Sequence, residues 1–136
     1  MVKVGIIGCG KIAQVRHIPE YLDNPNAKLT GLYDLNLQRA KELAEKYDCK
    51  SYESVEEMLA DPEIDAVSVC VANHVHAEIT IAALKAGKHV LCEKPMCIRL
   101  SDAEKLVQVK EKQDGLVLQV KVPDGVEYQI DTTNLE

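Results

Sequence analysis

Lys3-Val4-Gly5-Ile6-Ile7-Gly8-Cys9-Gly10-Lys11-Ile12-Ala13 begins as a β-branched run, stops on glycine and passes into a helical pattern over residues 11 to 22. The turn fits G-x-G-x-x-G/A between a strand and a helix. Each small residue in it has its own physical role. Gly8 permits the tight turn, Gly10 lets a ligand approach the backbone, and Ala13 lets the helix pack close to the strand. A helix start of this kind presents backbone N–H groups and the positive end of the helix dipole, which suits a phosphate. Cys9, Lys11 and Ile12 complete the candidate phosphate turn. Small-residue turns are common after strands, so the pattern needs support from the rest of the chain.

Working outward, strand and helix patterns alternate. Leu29 to Tyr33 reads as a second strand closing on Asp34, and residues 36 to 47 carry apolar positions at helical spacing. A short strand follows near Lys50 to Tyr52. Ser54 with Glu57 has capping-box spacing for a helix through Leu59, and Asp61-Pro62 stops it. Ala66 to Val71 is a near-continuous apolar run, as a central parallel strand requires. A helix over 75 to 86 ends at Gly87, Val90 to Cys92 is a further strand, and Ser101 with Glu104 caps a helix through about Lys112. Leu116 to Val122 is the last strand of the series. Alternation of this kind predicts an α/β fold, a doubly wound parallel sheet of the Rossmann type, over residues 1–122. Residues 123–136 read as a tail: Pro123-Asp124-Gly125 turns the chain, and Val126, Tyr128 and Ile130 alternate with polar residues, which predicts an antiparallel C-terminal edge strand.

The chain has 136 residues, enough to bury roughly two-thirds of its unfolded surface around one core. With neither Trp nor Phe, that core must be aliphatic. A net charge of −6 argues against a nucleic-acid or anionic-membrane surface, so any bound phosphate must be held by backbone amides and a helix end. No run of about 18 apolar residues and no signal-peptide pattern is present, which predicts a cytoplasmic location. Five scattered cysteines without CxxC spacing read as reduced thiols and not as a metal site.

Asp34 stands where a carboxylate accepts hydrogen bonds from the adenosine ribose hydroxyls, or where it would N-cap the following helix. In the first role it repels a 2′-phosphate and favours NAD over NADP, although Arg39 nearby leaves room for NADP.

Several further stretches carry a family resemblance: Arg16-His17-Ile18-Pro19, Tyr33-Asp34, Asn73-His74-Val75-His76-Ala77-Glu78 and Gly87-Lys88-His89-Val90-Leu91-Cys92-Glu93-Lys94-Pro95-Met96. Over about residues 2 to 120 the chain resembles the glucose–fructose oxidoreductase, inositol dehydrogenase and rhizopine-catabolism family (Gfo/Idh/MocA). Glu93-Lys94-Pro95 after a Gly-Lys-His-Val strand is the most specific of these signs. The resemblance implies a hydride-transfer oxidoreductase acting on a sugar or cyclitol carbinol or carbonyl. Carried over residue by residue, Lys94 is the catalytic residue at the reacting oxygen, Glu93 lies against the cofactor ribose, and Pro95 fixes a sharp turn. The resemblance also places Val71, Ala72, Asn73 and His76 beside the cofactor, with Val71-Ala72 standing where the family carries Thr-Pro. His76 reads either as a proton donor or as a helix-start residue packed on the loop. The family's second domain, which forms the substrate pocket, has no counterpart in this sequence. The reading is therefore an oxidoreductase reduced to its cofactor domain, completed by self-association or by a partner over the nicotinamide face. Its alternatives are a non-catalytic dinucleotide-binding or redox-sensing module, or a truncated product.

Overall fold

The computed structural model describes residues 1–71 and 75–92, together with the backbone of 118–120. Strand β1 covers Val2–Ile7, β2 Ala27–Tyr33, β3 Lys50–Ser51, β4 Ala66–Val69, β5 His89–Cys92 and β6 Leu118–Val120. Helices α1 (Ile18–Asp23), α2 (Leu37–Lys46), α3 (Val55–Ala60) and α4 (His76–Lys85) connect them. The six strands lie in the order β3-β2-β1-β4-β5-β6, and every neighbouring pair is parallel. The order reverses between β1 and β4, which is the switch point of a doubly wound sheet. The parallel α/β reading holds. The expected helix over 101–112 and the antiparallel strand within 123–136 lie outside the described residues.

β1 is central and must be apolar on both sides. Ile6 and Ile7, on opposite faces, are fully buried, and each belongs to a different core cluster. Ile6 packs with Ile18, Leu32 and Ala44 under α1 and α2; Ile7 packs with Met58, Val69 and Leu84 under α3 and α4.

Three local features depart from the sequence reading. The helix expected over 11 to 22 contains a π-helical turn at Ala13–His17, in which the Ile18 N–H reaches the Ala13 carbonyl. Pro19 accounts for it: it has no N–H for the Val15 carbonyl, and in an α-helix its ring would press on that oxygen. The widened turn carries both His17 and Ile18 into the interior. β4 ends at Val69, two residues short of the expected Val71. Its partner β1 ends at Ile7, so on that side the ladder closes where the Cys70 N–H meets the Ile7 carbonyl at 2.8 Å. In the Ser54 cap, Ser54 Oγ accepts the Glu57 N–H at 3.0 Å as expected, but the Glu57 carboxylate accepts from Glu53 N–H and not from Ser54.

The α4–β5 corner is a Schellman turn. Gly87 takes φ +82, the Lys88 N–H reaches the Ala83 carbonyl and the Gly87 N–H reaches that of Leu84, both at 3.0 Å. Lys88 itself is buried, and its ammonium donates to the carbonyls of Asp61 (2.9 Å) and Ile64 (2.6 Å), stapling the α3–β4 loop to this corner.

Candidate functional site

The glycine turn sits at the carboxyl edge of the sheet, between the ends of β2 and β4. Gly8 has φ +96, a conformation that side chains rarely adopt, and its N–H is held by the Tyr33 carbonyl at 2.8 Å. A Cβ on Gly8 would also lie 2.7 Å from the carbonyl carbon and oxygen of Cys70 and 2.8 Å from the Val71 nitrogen. The segment after β4 is thereby packed directly on the turn, so Gly8 and Val71, singled out separately, meet here.

Gly10 is different. A Cβ there would meet nothing within 4 Å, and its φ is not in the left-handed region. Neither packing nor backbone geometry of the protein requires glycine at this position. The space above it is what a close-lying ligand would occupy.

Beyond Gly10 the helix begins. The Gln14 N–H makes an i→i−4 bond to the Gly10 carbonyl at 3.1 Å, so the N–H groups of Lys11, Ile12 and Ala13 precede the helical ladder. Lys11 is exposed and Ile12 half-buried. Gln14, which the sequence does not single out, donates its side-chain amide to the Cys9 carbonyl at 2.9 Å and closes the turn from behind. Nothing local marks that role, because a helical Gln with a solvated side chain has the same pattern.

Cys9 points its side chain inward, fully buried, with Sγ 3.4 Å from the Tyr33 carbonyl. Burial, and then the charge of Asp34, push its thiol up to about 12, so it stays protonated. Cys49 is raised to about 11, chiefly by burial. These are thiols and not nucleophiles, as the scattered spacing implies. Cys97 lies outside the described residues.

Asp34 follows β2. Its Oδ1 accepts the Cys9 N–H at 2.8 Å, and its Oδ2 accepts the Asn36 N–H at 2.8 Å. The N-cap of α2 is Asn36, whose side chain accepts from the Arg39 N–H at 3.1 Å, so Asp34 is not the helix cap. Arg39 Nη1 stands 3.9 Å from Asp34 Oδ2, with the arginine about half exposed. Each carboxylate oxygen has two lone-pair directions, so each keeps one for a further donor.

His76 begins α4 with its ring 1% exposed. Its Nε2 contacts the Val71 carbonyl, which can only accept, so Nε2 carries the proton. The ring thereby contacts the segment that follows β4, the same segment that packs on Gly8. Ala72, Asn73, Glu93, Lys94 and Pro95 lie outside the described residues. Among the described residues no group of His, Cys, Asp and Glu could hold a metal, and no helix is long and apolar enough to cross a membrane.

A groove of about 310 Å³ lies at the opposite, amino end of the sheet, among Val2, Tyr21, Asn24, Ala66 and Leu91. It is far from the strand ends where open α/β sheets bind ligands. The carboxyl-edge turn, at those strand ends, is the better candidate.

The glycine turn, the open space at Gly10 and the carboxylate after β2 fit the pyrophosphate and ribose of a dinucleotide. Comparison with known proteins points the same way. The chain is 35% identical over 116 residues to the myo-inositol 2-dehydrogenase of Thermotoga maritima, covering 85% of this chain and 34% of that one. It is 37% identical over 129 residues to the glucose-6-phosphate 3-dehydrogenase of Bacillus subtilis, covering 95% of this chain and 35% of that one. A solved 3-ketoreductase from Actinomadura kijaniata, in complex with NADP and TDP-benzene, superposes with a TM-score of 0.83 at 35% identity, over 88% of this chain and 37% of that one. The chain thus spans about a third of the length of the curated relatives it matches. The model of the oxidoreductase family with an NAD-binding Rossmann fold matches residues 2–122, and the chain belongs to that family, Gfo/Idh/MocA.

Proposed function

We propose that this chain seats a nicotinamide dinucleotide with its pyrophosphate over Gly8-Cys9-Gly10 and presents it for hydride transfer to or from a carbinol or carbonyl carbon of a sugar or cyclitol. The observation that carries the reading is the open volume at Gly10 beside a helix start, which the protein's own packing does not explain. The names of the relatives, a cyclitol dehydrogenase and a sugar-phosphate dehydrogenase, support the substrate class.

Bound there, the nicotinamide would supply or accept the hydride. Gly10, Lys11 and Ile12 would meet the phosphates with backbone N–H groups, and Asp34 would accept from the adenosine ribose. Lys94, by the family resemblance, would bond the reacting oxygen: its compact ammonium stabilises a developing alkoxide or polarises a ketone. Glu93 and Pro95 would flank it, with Val71, Ala72, Asn73 and His76 on the facing loop. Hydride transfer also requires a substrate held at near-attack distance and shielded from water. A surface over the nicotinamide face, from a second copy of this chain or from another polypeptide segment, would provide that.

NAD is the favoured cofactor because the Asp34 carboxylate repels a 2′-phosphate. NADP has two observations on its side: the Arg39 guanidinium stands 3.9 Å from that carboxylate, and the related 3-ketoreductase was solved with NADP. Calorimetric titration with NADH and NADPH, beside a Gly10→Asp variant, tests the reading. NADH binding that exceeds NADPH binding and vanishes in the variant supports it; no binding of either cofactor sinks it.

A further inference from the structure

We propose that Asp34, besides meeting the ribose, is the internal clamp of the phosphate-binding turn, so that ribose and phosphate recognition are coupled through one side chain. The proposal rests on the dinucleotide reading above for its ligand, and on geometry for the clamp.

The two partners of the Asp34 carboxylate lie in different parts of the chain. Oδ2 takes the N–H of Asn36, two residues on, which fixes the carboxylate at the end of β2. Oδ1 takes the N–H of Cys9, 25 residues away, in the middle of the glycine turn. The rest of Cys9 is held as well: its carbonyl by Gln14 Nε2 at 2.9 Å, its side chain by full burial. With the Gly8 N–H on the Tyr33 carbonyl, the first two N–H groups of the turn point inward to β2 and its end. Those of Gly10, Lys11 and Ile12 are left to a ligand. A hydrogen bond to an ionised acceptor is roughly twice as strong as a neutral one, so the carboxylate is a stiff support for this division.

Cofactor choice depends on the same side chain. Removing the Asp34 charge relieves repulsion of a 2′-phosphate but also leaves the Cys9 N–H beside a buried side chain without its acceptor. Truncating this residue should therefore weaken both cofactors instead of exchanging one for the other.

The test uses the full chain, the variants Asp34→Ala and Asp34→Asn, and an NAD analogue lacking both hydroxyls of the adenosine ribose. Calorimetry measures the analogue's affinity; amide hydrogen exchange of ligand-free protein measures protection at Cys9, referenced to the core amides of Ile6 and Val69 to remove any global loss of stability. Asp34→Ala should weaken the analogue roughly tenfold, the loss expected for one hydrogen bond to a charged group, and should speed Cys9 exchange relative to the core. Asp34→Asn keeps one oxygen, which can accept from Cys9 or from Asn36 but not from both, and should fall between the parent and Asp34→Ala on both readouts. Unchanged Cys9 exchange in Asp34→Ala overturns the clamp, and so does unchanged affinity for the analogue. If the parent chain binds no dinucleotide, the functional reading fails by itself, and the exchange comparison alone then decides the clamp.

Discussion

Gly8 and Gly10 stand two residues apart and answer to different constraints. Gly8 is demanded by the protein: its backbone is left-handed, and the Cys70–Val71 backbone occupies the space of a side chain. Gly8→Ala should cost about 2 kcal/mol or more, from an unfavourable φ together with the contact. Gly10→Ala should leave stability within about 0.5 kcal/mol, because its methyl enters open space. Urea denaturation of the two variants checks both, and comparable losses would contradict the distinction. Cys9 between them is readable as a small buried hydrophobe, which agrees with a thiol held up near 12.

Among the elements, the α3–β4 loop shows how a short edge is secured. Tyr52, Lys50 and Lys88 all converge on Asp61: the tyrosine hydroxyl at 2.6 Å and the Lys50 ammonium at 3.3 Å on its carboxylate, the Lys88 ammonium on its carbonyl. Lys88→Met should lower stability by about 2 kcal/mol, since two carbonyls lose a charged donor; denaturation at an unchanged m-value measures it. The Tyr52 hydroxyl, then the Glu63 N–H, hold the Asp61 carboxyl down at about 2 from an ordinary 3.8. A depressed carboxyl contributes stability that is complete above its ordinary value and lost as pH falls towards 2. The parent should therefore exceed Asp61→Asn in stability at neutral pH, and the gap should close between pH 4 and 2. A gap independent of pH, followed by acid titration of both proteins, would show that the carboxylate is not so held. Lys50 is raised by the same set of contacts, with Glu63 its first partner.

At the scale of the whole molecule, the sheet separates two surfaces. Its carboxyl edge holds the glycine turn, Asp34 and the post-β4 loop at the switch point between β1 and β4. Elsewhere apolar groups remain in solvent, with Val15 58% and Leu22 52% exposed on the first helical segment and Val2 46% exposed at the rim of the amino-end groove. Exposed apolar surface favours association. Light scattering at working concentrations should give a mass above that of one chain, and a strictly monomeric mass would count against self-association.

The order of strands and helices could be read before any coordinates because each element is dictated locally: β-branched runs for β1 and β4, helical spacing for α2, Ser54 and Gly87 at helix ends. The glycine turn and Asp34 belong with these, since Gly8 answers to backbone shape and all of them lie in a short local pattern at the ends of β1 and β2. Other features depend on parts of the chain that meet only after the parallel strands register Ile7 against Tyr33 and Val69. That register sets Asp34 on the Cys9 N–H, Lys88 on the Asp61 and Ile64 carbonyls, and Val71 against Gly8. His76 belongs to the same group: its contact with the Val71 carbonyl forms only once α4 is set against the end of β4. Residue type and periodicity carry local preference; which donor meets which acceptor across 24 or 25 residues is a property of the folded sheet.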